Sequence, residues 1–148
     1  KSALALCEKY DSPVARLVEK GIERIGRPLP DIQAAVENMG NVEVARLEKG
    51  LPMLATIAGG APMIGFLGTV SGMIQAFFRM STAGNNIDIT LLSGGIYEAM
   101  VTTVGGLFVG IIAYFGYNFL TSQISNLVFK MESTTIEFID MLHEPAGR

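Results

Sequence analysis

The chain lacks the side chains from which disulfides and metal centres are built. Its one cysteine, Cys7, cannot form an internal disulfide, and its one histidine, His143, has no second histidine to join it in a metal site. A phosphate-binding loop of the Walker type and a Ser-His-Asp set are also missing. We therefore expect a protein that is not an enzyme and that holds no metal and no cofactor. The net charge of −3 argues against nucleic acid as a partner.

Charged side chains are missing from two long stretches, residues 50–78 and 99–129. A bilayer core about 30 Å thick is crossed by about 20 apolar helical residues, so each stretch is long enough to span a membrane. Globular helices seldom run this far without a charge, and the mean hydropathy of +0.40 agrees with a membrane location. The sequence predicts an all-α integral membrane helical bundle with long helices extending into the cytosol.

Helix and turn signals divide the chain into five segments. We predict a cytosolic helical segment, a transmembrane helix, a short periplasmic loop, a second transmembrane helix and a cytosolic C-terminal helix, over residues 1–50, 51–79, 80–88, 89–122 and 123–148. The loop contains Gly84-Asn85-Asn86, a turn signal, and Asp88 is placed to cap the second membrane helix. Eight Lys and Arg lie in the first fifty residues and none in 80–93, so both ends are expected to face the cytosol.

The N-terminal segment carries its own helix signals. Ser12-Pro13 is typical of an N-cap followed by proline at the first helical position, and Arg27-Pro28-Leu29-Pro30 should end that helix. A second helix is expected from about Asp31, with a weak point at Gly40. Apolar residues at helical spacing predict buried faces here and in the C-terminal helix: Val14, Leu17, Val18, Gly21, Ile25, Ala35, Val36, Met39, Leu47, Ile124, Leu127, Met131, Phe138 and Leu142.

Glu98 is the first candidate for chemistry. It follows Asp88 by ten residues, which places it about 15 Å down the helix, near the middle of the bilayer. An ionisable group at that depth costs about 2.5 kcal/mol or more and usually belongs to an ion path or a buried pair. Alternatively, the helix starts late, near Gly94, and leaves Glu98 among the lipid headgroups.

Three threonines accompany Glu98. Thr69 precedes Met80 by eleven residues, about 16 Å, so two antiparallel helices would bring Thr69 and Glu98 to similar depth. Thr102 lies one turn from Glu98 on nearly the same face, and Thr103 is turned about 100° away. Their hydroxyls can relay protons or orient water in a pore. Alternatively, each simply bonds its own helix backbone.

Small residues line both predicted spans. Ala61, Gly65, Thr69, Gly72 and Ala76 form one stripe on the first span. We predict helix packing, and assembly into an oligomer, through six glycines: Gly65, Gly68, Gly72, Gly105, Gly106 and Gly110.

Two motifs resemble the ExbB/TolQ/MotA proton-channel family, and ExbB most closely. Residues 65–74 read GFLGTVSGMI, and residues 95–107 read GIYEAMVTTVGGL. The preceding LEKGLPMLATIA also fits, so the resemblance covers residues 44–118. The family has three spans, and the first is absent here. Since the sequence begins at Lys1, with no signal-peptide pattern, we expect a fragment.

The resemblance implies a proton-channel subunit in the bacterial inner membrane. Thr69, Glu98 and Thr103 match the family's pore threonine, its glutamate and its second pore threonine; Ser71 departs from the usual bulky apolar residue. The implied assembly is a homopentamer, surrounded by membrane lipids, that encloses a dimer of an ExbD-like single-span protein. A membrane aspartate of that partner would take up and release protons. A TonB-like protein would then carry the work to outer-membrane transport.

Other functions remain open at this point. A TolQ-like or stator subunit of another proton-driven motor fits the same motifs, and sodium could replace the proton. A non-conducting membrane scaffold would instead pair Glu98 with a cation of a neighbour. Half of a secondary transporter is disfavoured, because the two spans show neither an inverted repeat nor a broken helix pair.

Overall fold

The computed structural model describes residues 2–83 and 89–143, and within them it contains five helices and no strand. The helices are α1 Ser2–Lys9, α2 Pro13–Glu23, α3 Leu29–Leu47, α4 Leu51–Thr82 and α5 Ile89–His143. The all-α prediction is confirmed. The turn predicted at Gly84-Asn85-Asn86 and the cap at Asp88 lie outside the described residues.

The chain divides into two compact units. One, which we call the terminal unit, comprises the described residues up to Lys49 and from Thr121 onward. The other, the hairpin unit, is Gly50–Leu120. Helix α5 continues without a break past the predicted boundary at residues 122–123, so its first part belongs to the hairpin unit and the rest to the terminal unit.

The N-terminal helices follow their local signals closely. Ser12 is the N-cap of α2, and its Oγ accepts a hydrogen bond of 3.2 Å from the backbone N–H of Ala15, as predicted. Helix α3 begins at Leu29, two residues before the predicted start, because proline at position 30 is tolerated in the first turn. Helix α3 runs through Gly40, the predicted weak point, without a break and ends at Leu47.

The core of the terminal unit joins the N-terminal helices to the last part of α5. Its buried members are Leu17, Ile32, Val36, Met131 and Phe138. These positions confirm the predicted apolar faces of α2, α3 and the C-terminal helix. Ile25 was wrongly included, because α2 ends at Glu23 and leaves Ile25 outside the helix and 56% exposed.

A buried carboxylate ties α2 to α3 in this unit. Glu43 is only 1% exposed, and Arg16 donates to both of its oxygens, from Nε at 3.0 Å and from Nη2 at 2.7 Å. Arg46 adds a third hydrogen bond of 3.0 Å to Oε1, and Asp11 pairs with the outer side of Arg16. The hydrogen bonds from Arg16 lower the pKa of Glu43, although burial alone would raise it. Glu43 is therefore held as a charged group.

Glu43→Gln is expected to destabilise the terminal unit by about 2–3 kcal/mol, because it removes one charge of a largely buried ion pair while Arg16 keeps some solvent contact. The pKa of Glu43 is lower in the folded protein, so its stabilisation is fully present above the ordinary glutamate pKa of about 4.5. It is lost as the pH falls through the lower folded value. Unfolding followed by circular dichroism should show less acid sensitivity in Glu43→Gln, with exposed Glu37→Gln as the control. Equal acid sensitivity in the wild type and Glu43→Gln would contradict this role.

The hairpin unit exposes a large apolar surface. In the described part of the chain, two helices are long and apolar enough to cross a membrane. Their outer faces carry large side chains, such as Met63, 73% exposed, and Phe108, 67% exposed. A contiguous surface of this kind requires lipid or other apolar partners, because exposing it to water is unfavourable. The helices are those of a membrane helical bundle. The structure extends α4 to Thr82, three residues beyond its predicted end.

Candidate functional site

Small residues let α4 and α5 approach each other closely. A Cβ added at Gly65 would lie 3.1 Å from the Cα of Gly106, and one added at Gly72 would lie 2.8 Å from the Cβ of Ala99. Further along, a Cβ at Gly95 would meet that of Ala76 at 2.7 Å. Residues later in α4 contact residues earlier in α5, so the two helices are antiparallel. The contact stripe on α4 is the small-residue stripe seen in the sequence.

The other predicted packing glycines differ in what they contact. An added Cβ at Gly68 would lie 2.9 Å from the Cβ of Thr102, and one at Gly110 would lie 2.5 Å from Cγ in the ring of Pro62. At Gly105, a Cβ would meet nothing within 4 Å in the described part of the chain. Gly105 thus takes no part in the contact between α4 and α5, and its helix-packing role stays a prediction that concerns some other surface.

Thr69 and Thr103 meet at this close contact. Their hydroxyls are hydrogen-bonded to each other across the two helices. The Thr69 hydroxyl also lies 3.3 Å from the carbonyl oxygens of Gly65 and Ala99, and the Thr103 hydroxyl lies 3.1 Å from that of Gly65. Each hydroxyl can donate one hydrogen bond and accept others. The pair is therefore a hydrogen-bonded polar contact between two apolar helices.

Thr102 points to a different surface from Thr103. Its hydroxyl donates to the carbonyl of Ala99 in its own helix at 2.7 Å, and its side chain lies in the groove that contains Glu98. Helical geometry had grouped Thr102 with Glu98, and the motif had pointed to Thr103. In the structure Thr102 shares a groove with Glu98, whereas Thr103 is hydrogen-bonded to Thr69.

Glu98 faces an open groove beside the helix contact. The groove has a volume of about 220 Å³, and Glu98 has no hydrogen-bond or ion-pair partner among the residues that the structure describes. Its neighbour Ala99 contacts Gly72, which places Glu98 about one helical turn from Thr69. The late start near Gly94 is wrong, because α5 begins at Ile89. Glu98 thus lies about 13 Å into the helix.

Three further polar residues line the same groove: Ser71, Gln75 and Arg79 on α4. None of them was placed in the site from the sequence, although their spacing of four residues indicates one helical face. Arg79 is the charge that ends the first charge-free stretch, and no role was assigned to it from the sequence. Glu43 was missed for another reason: its spacing to Arg46 is visible in the sequence, but its contact with Arg16 depends on how α2 and α3 pack.

Two apolar helices that bring hydroxyls and a carboxylate together define a helical membrane protein. Residues 9–133 match the MotA/TolQ/ExbB proton channel family, and the chain belongs to that family. This confirms the resemblance read from residues 65–74 and 95–107.

Individual relatives carry the names ExbB and TolQ. A Methanothermobacter thermautotrophicus protein named as a biopolymer transport protein ExbB homolog is 33% identical over 130 residues, which are 88% of this chain and 46% of the relative. The Tol-Pal system protein TolQ of Haemophilus influenzae is 36% identical over 106 residues, 72% of this chain and 46% of the relative. The biopolymer transport protein ExbB of Xanthomonas campestris pv. campestris is 35% identical over 91 residues, 62% and 36% respectively. The chain spans less than half the length of these relatives.

Proposed function

We propose that this chain is a proton-channel subunit of a bacterial inner-membrane motor, which converts proton-motive force into work and energises TonB-dependent outer-membrane transport. The observation that carries the proposal is the hydrogen-bonded pair Thr69–Thr103 between two apolar helices, about one turn from Glu98. Polar and ionisable groups are costly inside a membrane and are usually retained for transport.

Each group would have a distinct task. Glu98 would take up a proton and release it, since a carboxyl group in an open groove can exchange with water or with an acid of a partner. Thr69 and Thr103 would pass protons by donating one and accepting the next. Thr102 would line the groove without passing protons, because its hydroxyl already donates to the carbonyl of Ala99.

Surfaces that one copy leaves uncovered support association with further copies. Gly59, Gly60 and Gly105 have no atom within 4 Å of an added Cβ in the described part of the chain, so a second copy could approach there. This supports a homo-oligomer, which we take to be a pentamer. An ExbD-like single-span dimer would occupy its pore and a TonB-like protein would transmit the work. The distribution of Lys and Arg supports an orientation with both ends in the cytosol.

A second candidate is the Tol-Pal branch, favoured by the similarity to TolQ of Haemophilus influenzae. The proton chemistry would be the same, and only the partners would differ. A non-conducting scaffold would need a cation of a neighbour beside Glu98 and would give the Thr69–Thr103 pair no task.

Thr103→Val tests the relay in the full-length protein assembled with its partners. Valine keeps the size of threonine but removes the hydroxyl, so we expect proton flux into proteoliposomes to fall at least about tenfold. The control is Thr56→Val, because Thr56 lies in the neighbouring helix α4 and donates only to the carbonyl of Pro52 in its own helix, at 2.8 Å. Unchanged flux in a correctly assembled Thr103→Val complex would exclude the relay.

A further inference from the structure

We propose that the groove beside Glu98 is a water-filled path from the outer end of α4, with Arg79 at its mouth selecting by charge what enters. This inference rests on the proposed function for the orientation of the hairpin and for the role of Glu98. It adds an entry route, three residues of α4 and a selecting charge.

The hairpin has two unlike flanks. The polar flank is lined by Gly68, Ser71, Gln75, Arg79, Glu98 and Thr102. On the other side of the contact stripe, a hollow is lined only by apolar residues of α4: Pro62, Met63, Phe66, Leu67 and Val70. At 100° per residue the two sets of α4 residues lie on opposite sides of its contact face. The two flanks therefore require different surroundings.

The polar row runs from the mouth to the carboxylate. Ser71, Gln75 and Arg79 follow one another at intervals of one turn and span about 12 Å. Glu98 lies near the inner end of this row, because the adjacent Ala99 contacts Gly72. Arg79 lies about 10 Å further out along α4. A volume of about 220 Å³ holds several water molecules, and the row offers donors and acceptors along its whole length.

Lipid is a poor occupant of this groove. The side chains of Gln75 and Arg79 are exposed and have no hydrogen-bond partner among the described residues. An amide and a guanidinium left unpaired in hydrocarbon would each cost several kcal/mol, whereas water satisfies both. A proton can then move along hydrogen-bonded water to Glu98.

Arg79 and Glu98 are the only charged side chains that line the groove in the described part of the chain. At the mouth, the positive charge of Arg79 repels metal cations and attracts anions. This charge therefore discriminates between anions and cations, and it repels a proton on the water chain as it repels sodium or potassium.

Cysteine labelling tests whether the flank is wet. The full-length protein, in native membranes with its partners and with Cys7→Ser, would carry Ser71→Cys or Gln75→Cys. The matched controls are Val70→Cys and Ile74→Cys, which lie at the same depths on other faces of α4. Membrane-impermeant methanethiosulfonates added from the outer side should modify the polar-flank cysteines at least tenfold faster, because a thiolate forms only in contact with water. Similar slow rates at all four positions would overturn the proposal.

The charge at the mouth has its own test. In the Gln75→Cys background, an anionic methanethiosulfonate should react faster than a cationic one. Arg79→Gln should reduce this preference about tenfold, because the charge that is removed lies one helical turn, about 6 Å along α4, from position 75 in a partly desolvated groove. An unchanged preference would remove Arg79 from the proposal. A dry flank combined with loss of activity in Glu98→Gln would refute the path alone; a wet flank with an active Glu98→Gln would refute the proposed function instead.

Discussion

Glu98→Gln is expected to abolish proton-driven work while the complex still assembles. Glutamine has the size and hydrogen-bonding capacity of glutamate, but it cannot take up or release a proton under these conditions. Glu98 makes no hydrogen bond or ion pair to the described residues, so its charge is not needed to hold α4 and α5 together. Proton-driven activity should therefore fall at least about 100-fold, within the usual range for removing an acid–base group.

Two measurements distinguish this result from misfolding. Uptake that depends on the proton gradient reports activity, and the mass of the complex in mild detergent reports assembly. Glu137→Gln provides the control, because Glu137 is also exposed on α5 but belongs to the terminal unit. Glu98→Asp should retain part of the activity, since it keeps a carboxyl group. Full activity of an assembled Glu98→Gln complex would remove Glu98 from the proton path.

Local patterns predicted the elements that depend on one helix at a time. The charge-free stretches gave α4 and the membrane part of α5, and Ser12-Pro13 gave the start of α2. The small-residue stripe on the first span also predicted the face that meets α5, because its members share one side of a helix of known period.

Contacts between helices could not be predicted in the same way. Gly105 and Gly106 are adjacent glycines in one motif, and only the rotation of α5 about its axis decides which of them meets α4. The same rotation places Thr103 against Thr69 and leaves Thr102 in the groove. The pairing of Arg16 with Glu43 joins residues 27 positions apart on different helices, so it depends on packing rather than on spacing.

Gly106→Ala is expected to force α4 and α5 apart. The new Cβ would lie 2.5 Å from the carbonyl oxygen of Ala61 and 2.8 Å from the Cα of Gly65. Both are backbone atoms, which cannot rotate away as a side chain can, so the helices must separate. Overpacking of this kind costs about 1–3 kcal/mol. Because Thr103 is one turn away on the same face, the separation should also weaken its hydrogen bond to Thr69.

Gly105→Ala is the matched control, because the same methyl group is added one residue earlier, where it meets nothing within 4 Å among the described residues. Thermal unfolding of the purified complex in detergent should show a lower Tm for Gly106→Ala. The Tm of Gly105→Ala should stay close to that of the wild type. Equal losses of Tm in both variants, with intact assembly, would contradict the packing described for Gly106. If Gly105→Ala instead dissociates the complex while the isolated subunit keeps its Tm, Gly105 belongs to the surface between copies. Gly106 would then permit the close contact between α4 and α5, and Gly105 the contact between subunits.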